Sequence, residues 1–177
     1  MPATRDDLLQ RLESLGIAST TVEHPPLFTV EESRALRGRI PGGHTKNLFL
    51  KCKKGSLWLV VALETATIDL KSLHKRIGSG RLSFGSGALL EETLGVPAGS
   101  VTPFALINDP DAKVGVIFDT DMMRQDRLNF HPLENTATTT IATPDLLAFA
   151  RACGHEPAVL AVSEEALAAE AQGAGAT

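Results

Sequence analysis

Residues 47–63 read NLFLKCKKGSLWLVVAL and predict the central element of the fold. Two apolar runs, 47–52 and 57–63, flank a short polar segment, Lys-Lys-Gly-Ser, at 53–56. Two such runs joined by a short segment containing glycine are typical of a β-hairpin. We therefore expect the protein to be built around a sheet with this hairpin in it, and Lys46 stands at the mouth of its first strand.

Helix and strand signals lie on both sides of the hairpin. Apolar residues at helical spacing after a capping residue predict helices over 5–15, 29–38, 70–77 and 87–94. Their caps are Thr4, Thr29 with Glu32 in a Thr-x-x-Glu box, Asp69 and Ser86. Further strands are predicted over 17–23, 104–108, 113–119, 127–130 and 136–142, and a helix follows Pro144 over 145–153.

Strands and short helices mix without a regular βαβ repeat, which favours an antiparallel or mixed sheet. The 177 residues fit one hydrophobic core. The sequence thus predicts an α+β fold: a single domain with a mixed, mostly antiparallel sheet flanked by short helices. This domain is expected to span 1–162, and the alanine-rich segment 163–177 to be a frayed helix or a disordered tail.

Charge is segregated along the chain, although the net charge is only -4. Residues 34–81 contain 11 of the 17 Lys and Arg residues and two acidic residues, a local charge of +9, and the remainder carries -13. Such a block indicates a localised anion-binding face, or else a solvated basic surface without a partner. Aromatic residues make up 5% of the chain, which argues against a platform of stacking rings for single-stranded nucleic acid.

Several functional classes are disfavoured by their missing motifs. Residues 38–46 contain two spaced glycines, but His44 stands where a phosphate loop needs lysine. The Gly-Ser-Gly at 78–80 lacks the third glycine of a dinucleotide fingerprint. We therefore expect no nucleotide cofactor, and no metal, because the five histidines form no ligand pattern.

The expected compartment is a reducing cytoplasm, since Cys52 and Cys153 have neither a metal-ligand nor a disulfide-framework spacing. The first ten residues do not resemble a secretion signal, and the apolar run 57–63 is too short to cross a bilayer.

Two loops carry residues that could do chemistry. His131 lies in the turn Asn-Phe-His-Pro-Leu-Glu-Asn at 129–135, where Pro132 restricts the backbone and an imidazole can be held still. The segment Gly-Ser-Val-Thr-Pro at 99–103 could direct backbone N–H groups at a carbonyl or an oxyanion. Taken alone, the histidine is equally compatible with a structural role, and the glycine segment with an ordinary turn.

Together, three segments resemble the YbaK/ProX group of aminoacyl-tRNA deacylases, the stand-alone relatives of the prolyl-tRNA synthetase editing domain. They are TKNLFL at 45–50, the loop at 99–103, and FHPLEN at 130–135 with the threonine-rich strand after it. Their order agrees from about residue 5 to 160. The histidine–proline segments near 24 and 131 are most similar to the branch that hydrolyses Ala-tRNA(Pro).

This resemblance implies a curved editing-domain sheet and a deacylase that removes a wrong amino acid from the tRNA 3' end by water attack, without a metal or a covalent enzyme intermediate. It implies catalytic roles for Lys46, Gly99 and His131. The substrate-binding residues it implies are Asn47, Ser100, Val101, Thr102, Pro103 and Asn135. The tRNA-binding residues it implies are Lys51, Lys53, Lys54, Lys75, Arg76 and Arg81. The implied partners are the acceptor end of tRNA(Pro) and prolyl-tRNA synthetase.

Two alternatives stay open at this point. A sister branch of the same family hydrolyses Cys-tRNA(Pro) and would need the same lysine and loop with a different pocket. A nucleic-acid-binding module without catalysis would use the same basic face, although no docking motif such as a helix-turn-helix is present.

Overall fold

A computed structural model describes residues 1–26 and 30–174. The helices are α1 (Arg5–Ser14), α2 (Val30–Arg37), α3 (Leu70–Ile77), α4 (Gly87–Leu94), α5 (Thr143–Ala152) and α6 (Glu164–Ala174). The strands are β1 (Ser19–Glu23), β2 (Gly43–Cys52), β3 (Leu57–Leu63), β4 (Leu82–Phe84), β5 (Val114–Asp119), β6 (Arg127–Phe130), β7 (Ala137–Ala142) and β8 (Ala158–Leu160). Short 3-10 helices span Ala98–Ser100, Pro103–Asn108 and Met122–Arg124.

The strands form one mixed sheet in the order β1-β7-β6-β2-β3-β5-β8, with β4 also paired to β2. The antiparallel pairs are β1/β7, β6/β7, β2/β3 and β2/β4. The parallel pairs are β2/β6, β3/β5 and β5/β8. The predicted α+β class with a mixed, mostly antiparallel sheet is confirmed, and the hairpin quoted above lies at its centre.

β2 separates two hydrophobic cores because successive side chains of a strand leave opposite faces of the sheet. Phe49 packs into the larger core together with Leu12 of α1 and Phe149 of α5. Leu48 and Leu50 belong to the smaller core, which Leu73 of α3 covers. Both faces of the sheet are therefore covered, and neighbouring residues of β2 lie in different surroundings.

The predicted helices after the hairpin begin at their predicted caps. The Asp69 carboxylate accepts the Lys71 N–H at 3.2 Å, and the Ser86 hydroxyl accepts the Leu89 N–H at 3.1 Å. Thr4 also caps α1 as predicted, in a reciprocal capping box with Asp7. The proposed cap at Thr29 lies outside the described residues.

The prediction of a strand over 104–108 is wrong, because Pro103–Asn108 is a 3-10 helix. The Thr102 hydroxyl accepts the Phe104 N–H at 3.2 Å and so starts this helix. Phe104, Ala105 and Leu106 are all buried, so the run is apolar on every side and carries no periodicity to distinguish the two structures. The short strands β4 and β8 have no clear signal in the sequence.

The C-terminal segment forms the helix α6 as far as residue 174. The Ser163 hydroxyl caps it by accepting the Ala166 N–H at 3.0 Å, and Asp119 at the end of β5 accepts the Ser163 hydroxyl at 2.6 Å. The domain boundary after residue 162 stays a prediction. None of the helices described is long and apolar enough to cross a membrane.

Candidate active site

A small cavity opens where β2 begins, beside β6 and under α2. Its volume is about 100 Å³. Pockets for drug-sized ligands are usually about 300–1,000 Å³, so only a small group can enter here. Polar and apolar side chains share its wall: Leu36, His44, Thr45, Asn47, Glu64, Asn129, Phe130, His131 and Thr138.

Asn129 fixes the wall of this pocket. β6 and β2 pair over only two residue positions. The Asn129 amide extends that junction by donating to Pro41 O at 3.1 Å and Gly43 O at 3.3 Å. Thr45 donates its hydroxyl proton to Asn129 O at 2.7 Å. Neutral hydrogen bonds between the strands thus hold the pocket at a defined width.

Asn47 brings an unsatisfied acceptor to the pocket. Its Oδ1 is buried and has no hydrogen-bond partner among the described residues. Leaving a buried polar atom unpaired costs about 1–3 kcal/mol, so such atoms in a pocket wall are candidates for binding a ligand donor. Asn47 therefore offers a site for an N–H group of a small substrate.

His131 is held in a defined tautomer. Its Nδ1 lies 3.2 Å from Ala137 O, and a carbonyl can only accept, so Nδ1 carries the hydrogen. Burial lowers the pKa of His131, the bond to Ala137 partly opposes this, and the nearby His24 lowers it further. The ring is therefore neutral at pH 7, and its Nε2 can accept a hydrogen bond.

The turn that carries His131 is fixed from outside. Leu133 has a φ of 69°, a strained conformation for a residue with a side chain, and it packs into the larger core. The Arg5 guanidinium of α1 lies 3.0 Å from both Glu134 and Glu23. The first helix and the core thus keep the turn in a conformation that its own sequence would disfavour.

The loop at 99–103 lies against the same turn but does not line the pocket. A side-chain carbon added at Gly99 would approach Asn135 Nδ2 to 3.4 Å, so this glycine and Asn135 are neighbours. Ser100, Thr102 and Pro103 are buried, and Ser100 N–H already donates to Pro97 O at 2.9 Å. Gly99 is exposed and Val101 half-buried, so they are the residues of this loop that a substrate can reach.

Lys46 lies next to Thr45 and Asn47 in β2, but its side chain leaves the other face of the strand. Its Nζ donates to Ala66 O, in the segment between β3 and α3. The structure thus places Asn47 and His131 in one pocket and Lys46 beside it, on the face that α3 covers.

Most of the predicted tRNA-binding residues meet at one corner of the molecule. Lys53 N–H donates to Arg81 O at 3.2 Å, which joins the hairpin turn to the start of β4. Arg76 is the exception because its guanidinium donates to Ala161 O at 3.0 Å and to Glu170 of α6 at 3.3 Å. The exposed residues of this basic corner are Lys51, Lys53, Lys54, Lys75 and Arg81.

Sequence reasoning missed several residues of this region. Thr45 and Asn129 lie in the segments 45–50 and 129–135, and Thr138 lies in the threonine-rich strand, but only the pairing of β2, β6 and β7 brings the three residues to one pocket. His24 donates or accepts a hydrogen bond with Thr138 Oγ1 at 2.8 Å, and so supports the wall behind His131. Phe84 is 59% exposed on β4, where it lies opposite Leu50 and next to the basic corner.

Known proteins are similar to this chain in sequence and in fold. Residues 24–149 match the family model of the aminoacyl-tRNA editing domain. The chain is 39% identical to the mouse (Mus musculus) prolyl-tRNA synthetase associated domain-containing protein 1, over 88% of this chain and 95% of that protein. It is 37% identical to the prolyl-tRNA editing protein ProX of Acetoanaerobium sticklandii, over 84% of this chain and 91% of that protein.

A solved structure described as a candidate trans-editing enzyme for prolyl-tRNA synthetase superimposes with a TM-score of 0.66 and 21% identity, covering 91% of this chain and 99% of that one. The fold is therefore shared well beyond recognisable sequence similarity. The match over residues 24–149 and the relatives near 40% identity confirm the resemblance found in the sequence: the chain belongs to the aminoacyl-tRNA editing domain family.

Proposed function

We propose that this protein is a trans-editing hydrolase that deacylates mischarged tRNA(Pro), with Ala-tRNA(Pro) as its main substrate. One observation carries the proposal: a cavity of about 100 Å³ whose wall includes Asn47, with its unpartnered Oδ1. A small aminoacyl group with a free amine matches that size and that acceptor. The relatives named for prolyl-tRNA editing support tRNA(Pro) as the nucleic-acid part of the substrate.

The need for such an enzyme follows from binding energetics. One methylene in an apolar pocket is worth only about 1–3 kcal/mol, so a synthetase site built for proline admits alanine too often. A second site that accepts only smaller groups corrects the error. A pocket held at fixed width by Asn129 and Thr45 has the rigidity that such a size filter requires.

The pocket residues receive the aminoacyl group in this mechanism. The α-amino group donates to Asn47 Oδ1 and to the unprotonated Nε2 of His131. Water adds to the ester carbonyl, the bond to the ribose oxygen breaks, and the water proton ends on that oxygen. Charge on the carbonyl oxygen is stabilised by the backbone N–H groups of Gly99 and Val101, the residues of the neighbouring loop that a substrate can reach.

Lys46 and the basic corner receive the nucleic acid. Lys46 approaches the terminal adenosine from the side opposite to Asn47, where its ammonium group attracts the terminal phosphate and so positions the ester for the pocket. Lys51, Lys53, Lys54, Lys75 and Arg81 contact the acceptor-stem phosphates, so affinity falls as the salt concentration rises. The exposed ring of Phe84 adds an apolar surface on which an unpaired base can stack.

The test is the rate at which the purified protein deacylates Ala-tRNA(Pro), Cys-tRNA(Pro) and Pro-tRNA(Pro), beside its Lys46→Ala variant. We expect rapid loss of alanine alone and no reaction with a folded Lys46→Ala protein. Preferential loss of cysteine would assign the protein to the sister activity. Binding of tRNA without hydrolysis of any ester would support a nucleic-acid-binding module and overturn the proposal.

The cellular setting belongs to the same proposal. Mischarged tRNA(Pro) is released by prolyl-tRNA synthetase, so we place the protein in the cytoplasm, where it samples that product. Addition of the synthetase to the assay tests this partnership: faster deacylation at a fixed tRNA concentration supports handover, and an unchanged rate indicates that the tRNA is captured from solution.

A further inference from the structure

The segment that holds Lys46 is itself held by the C-terminal helix. Lys46 Nζ donates to Ala66 O, and the polar contacts of the next residue, Thr67, with the described part of the chain are made to the first turn of α6. Thr67 N–H donates to the Glu165 carboxylate at 2.9 Å, and the Thr67 hydroxyl donates to it at 2.9 Å. In return, Glu164 N–H donates to Thr67 O at 2.8 Å.

The start of α6 is anchored to the sheet independently of Thr67. Asp119 is fully buried and accepts Val162 N–H at 2.9 Å and Ser163 N–H at 3.1 Å through one carboxylate oxygen. The other oxygen accepts the Ser163 hydroxyl. These bonds fix the helix start at the carboxyl end of β5, so α6 gives Thr67 a firm support.

Lys46 and Glu165 also attract each other electrostatically. The hydrogen bonds from Thr67 lower the pKa of Glu165, and the charge of Lys46 lowers it further. The carboxylate is therefore ionised at neutral pH, near the ammonium group. Glu165 thus influences Lys46 in two ways, by holding the Ala66–Thr67 segment and by its negative charge.

We propose that Glu165 is a positioning residue for Lys46, which it holds in place through Thr67 and the carbonyl of Ala66. The proposal rests on the proposed function, in which Lys46 is required for deacylation. A displacement of about 1 Å in a catalytic site can cost about a hundredfold in rate. Loss of the Glu165 contact is accordingly expected to slow deacylation at least about tenfold.

The chain provides a matched control in the neighbouring residue. Glu165→Ala and Glu164→Ala both remove one carboxylate from the first turn of α6, but only Glu165 bonds to Thr67 through its side chain. The measurements are the single-turnover deacylation rate, the affinity for uncharged tRNA(Pro) and the melting temperature. We expect Glu165→Ala to lose rate with unchanged melting temperature and little change in affinity, and Glu164→Ala to behave as the wild type.

A second readout does not depend on activity. The side-chain NMR resonance of Lys46 Nζ, assigned by its loss in Lys46→Arg, reports the hydrogen bond to Ala66 through its exchange with water. We expect faster exchange in Glu165→Ala and no change in Glu164→Ala. If Glu165→Ala does not fold, Thr67→Val removes only the hydroxyl donor and is expected to shift the same resonance.

Unchanged exchange in a folded Glu165→Ala or Thr67→Val protein would overturn the proposal, and so would equal rates in Glu165→Ala and Glu164→Ala. An inactive wild-type protein would contradict the proposed function alone, because the NMR experiment would still show whether α6 positions Lys46.

Discussion

Lys46 and Asn47 are adjacent in β2, yet they belong to two very different regions. Around Asn47 the pocket wall mixes polar and apolar side chains, with Glu64 as the acidic one, and neutral hydrogen bonds between strands hold it. Around Lys46 the contacts are charged: Glu165 holds the segment below it, and Arg76 of α3 pairs with Glu170 of α6. One strand thus borders a small pocket on one face and the charged contacts of α3 and α6 on the other.

In the proposed function, one sheet contacts two parts of one substrate. An aminoacyl ester is small and is selected by size, for which a rigid pocket is suited. The tRNA is a polyanion and is attracted by exposed cations over a wide surface. The period of two along β2 directs Asn47 towards the first part and Lys46 towards the second.

Substitutions of Lys46 and Asn47 are expected to have the largest effects, and they test the comparison directly. Lys46 positions the ester in the proposed mechanism, and a displacement of about 1 Å can cost about a hundredfold in rate, so we expect at least that loss in kcat/KM for Lys46→Ala. A hydrogen bond to a cationic amine is worth about 1.5–3 kcal/mol, so Asn47→Ala is expected to lose about tenfold or more. Single-turnover deacylation and binding of uncharged tRNA(Pro) distinguish them: only Lys46→Ala weakens binding. Weaker binding by Asn47→Ala would break the comparison.

Phe84 extends the charged face with an apolar surface. Stacking of a base on an aromatic ring is worth about 1–3 kcal/mol, so Phe84→Ala is expected to weaken binding of an acceptor-stem hairpin at least fivefold, without changing its salt dependence. Among the strand residues that the structure describes, Val159 is the other large apolar side chain that is exposed, at 41% on β8, and Val159→Ala is the control. Equal affinities of the two variants in fluorescence anisotropy would remove Phe84 from the binding surface.

Two neighbouring cations on α3 are expected to have different roles, one in tRNA binding and the other in stability. Lys75 is exposed and makes no ion pair within the described part of the chain, whereas Arg76 is engaged by Ala161 and Glu170. Lys75→Ala is expected to reduce the slope of log affinity against log salt concentration by about one. Arg76→Ala is expected to lower the free energy of unfolding by up to about 1 kcal/mol, because its ion pair is exposed. A salt slope altered only by Arg76→Ala would reverse these roles.

The smallest expected effect is on the pH dependence of stability, through His131 in the pocket. Burial lowers the pKa of His131 in the folded protein, so below its ordinary value of about 6.5 the unfolded chain binds more protons there. The free energy of unfolding therefore falls as the pH drops through and below that value. Urea titrations from pH 8 to pH 5 should show a shallower fall for His131→Gln. Parallel curves would mean that His131 is not buried in its neutral form.

Much of the fold could be predicted because its signals are local. The hairpin at 47–63, the caps at Asp69 and Ser86 and the strand over 127–130 depend on residues a few positions apart. The strand expected at 104–108 failed for a local reason too, since Thr102 starts a 3-10 helix in a run that is buried on all sides. Patterns of apolar residues identify an element only where one face of it meets water.

The candidate site was predictable only in part. His131 could be named from its proline-fixed turn, which is a local feature, and Asn47 from the segment that resembles the family. Thr45, Asn129 and Thr138 received no role although they lie in the quoted segments, because they meet only through the pairing of β2 with β6 and of β6 with β7. Nor could the sequence indicate that Glu165 contacts Thr67, 98 positions away along the chain.

Composition, short-range periodicity and motifs were enough to predict the class of fold, the family and the segregation of positive charge, because they are properties of the chain alone. The packed molecule alone shows what surrounds Lys46 and Asn47 on their two faces, that Arg76 is engaged with α6, and that the C-terminal helix supports the segment beneath Lys46. These facts depend on which groups far apart along the chain come into contact. Pairing over long separations is set by the free energy of the whole packed chain, not by any one segment.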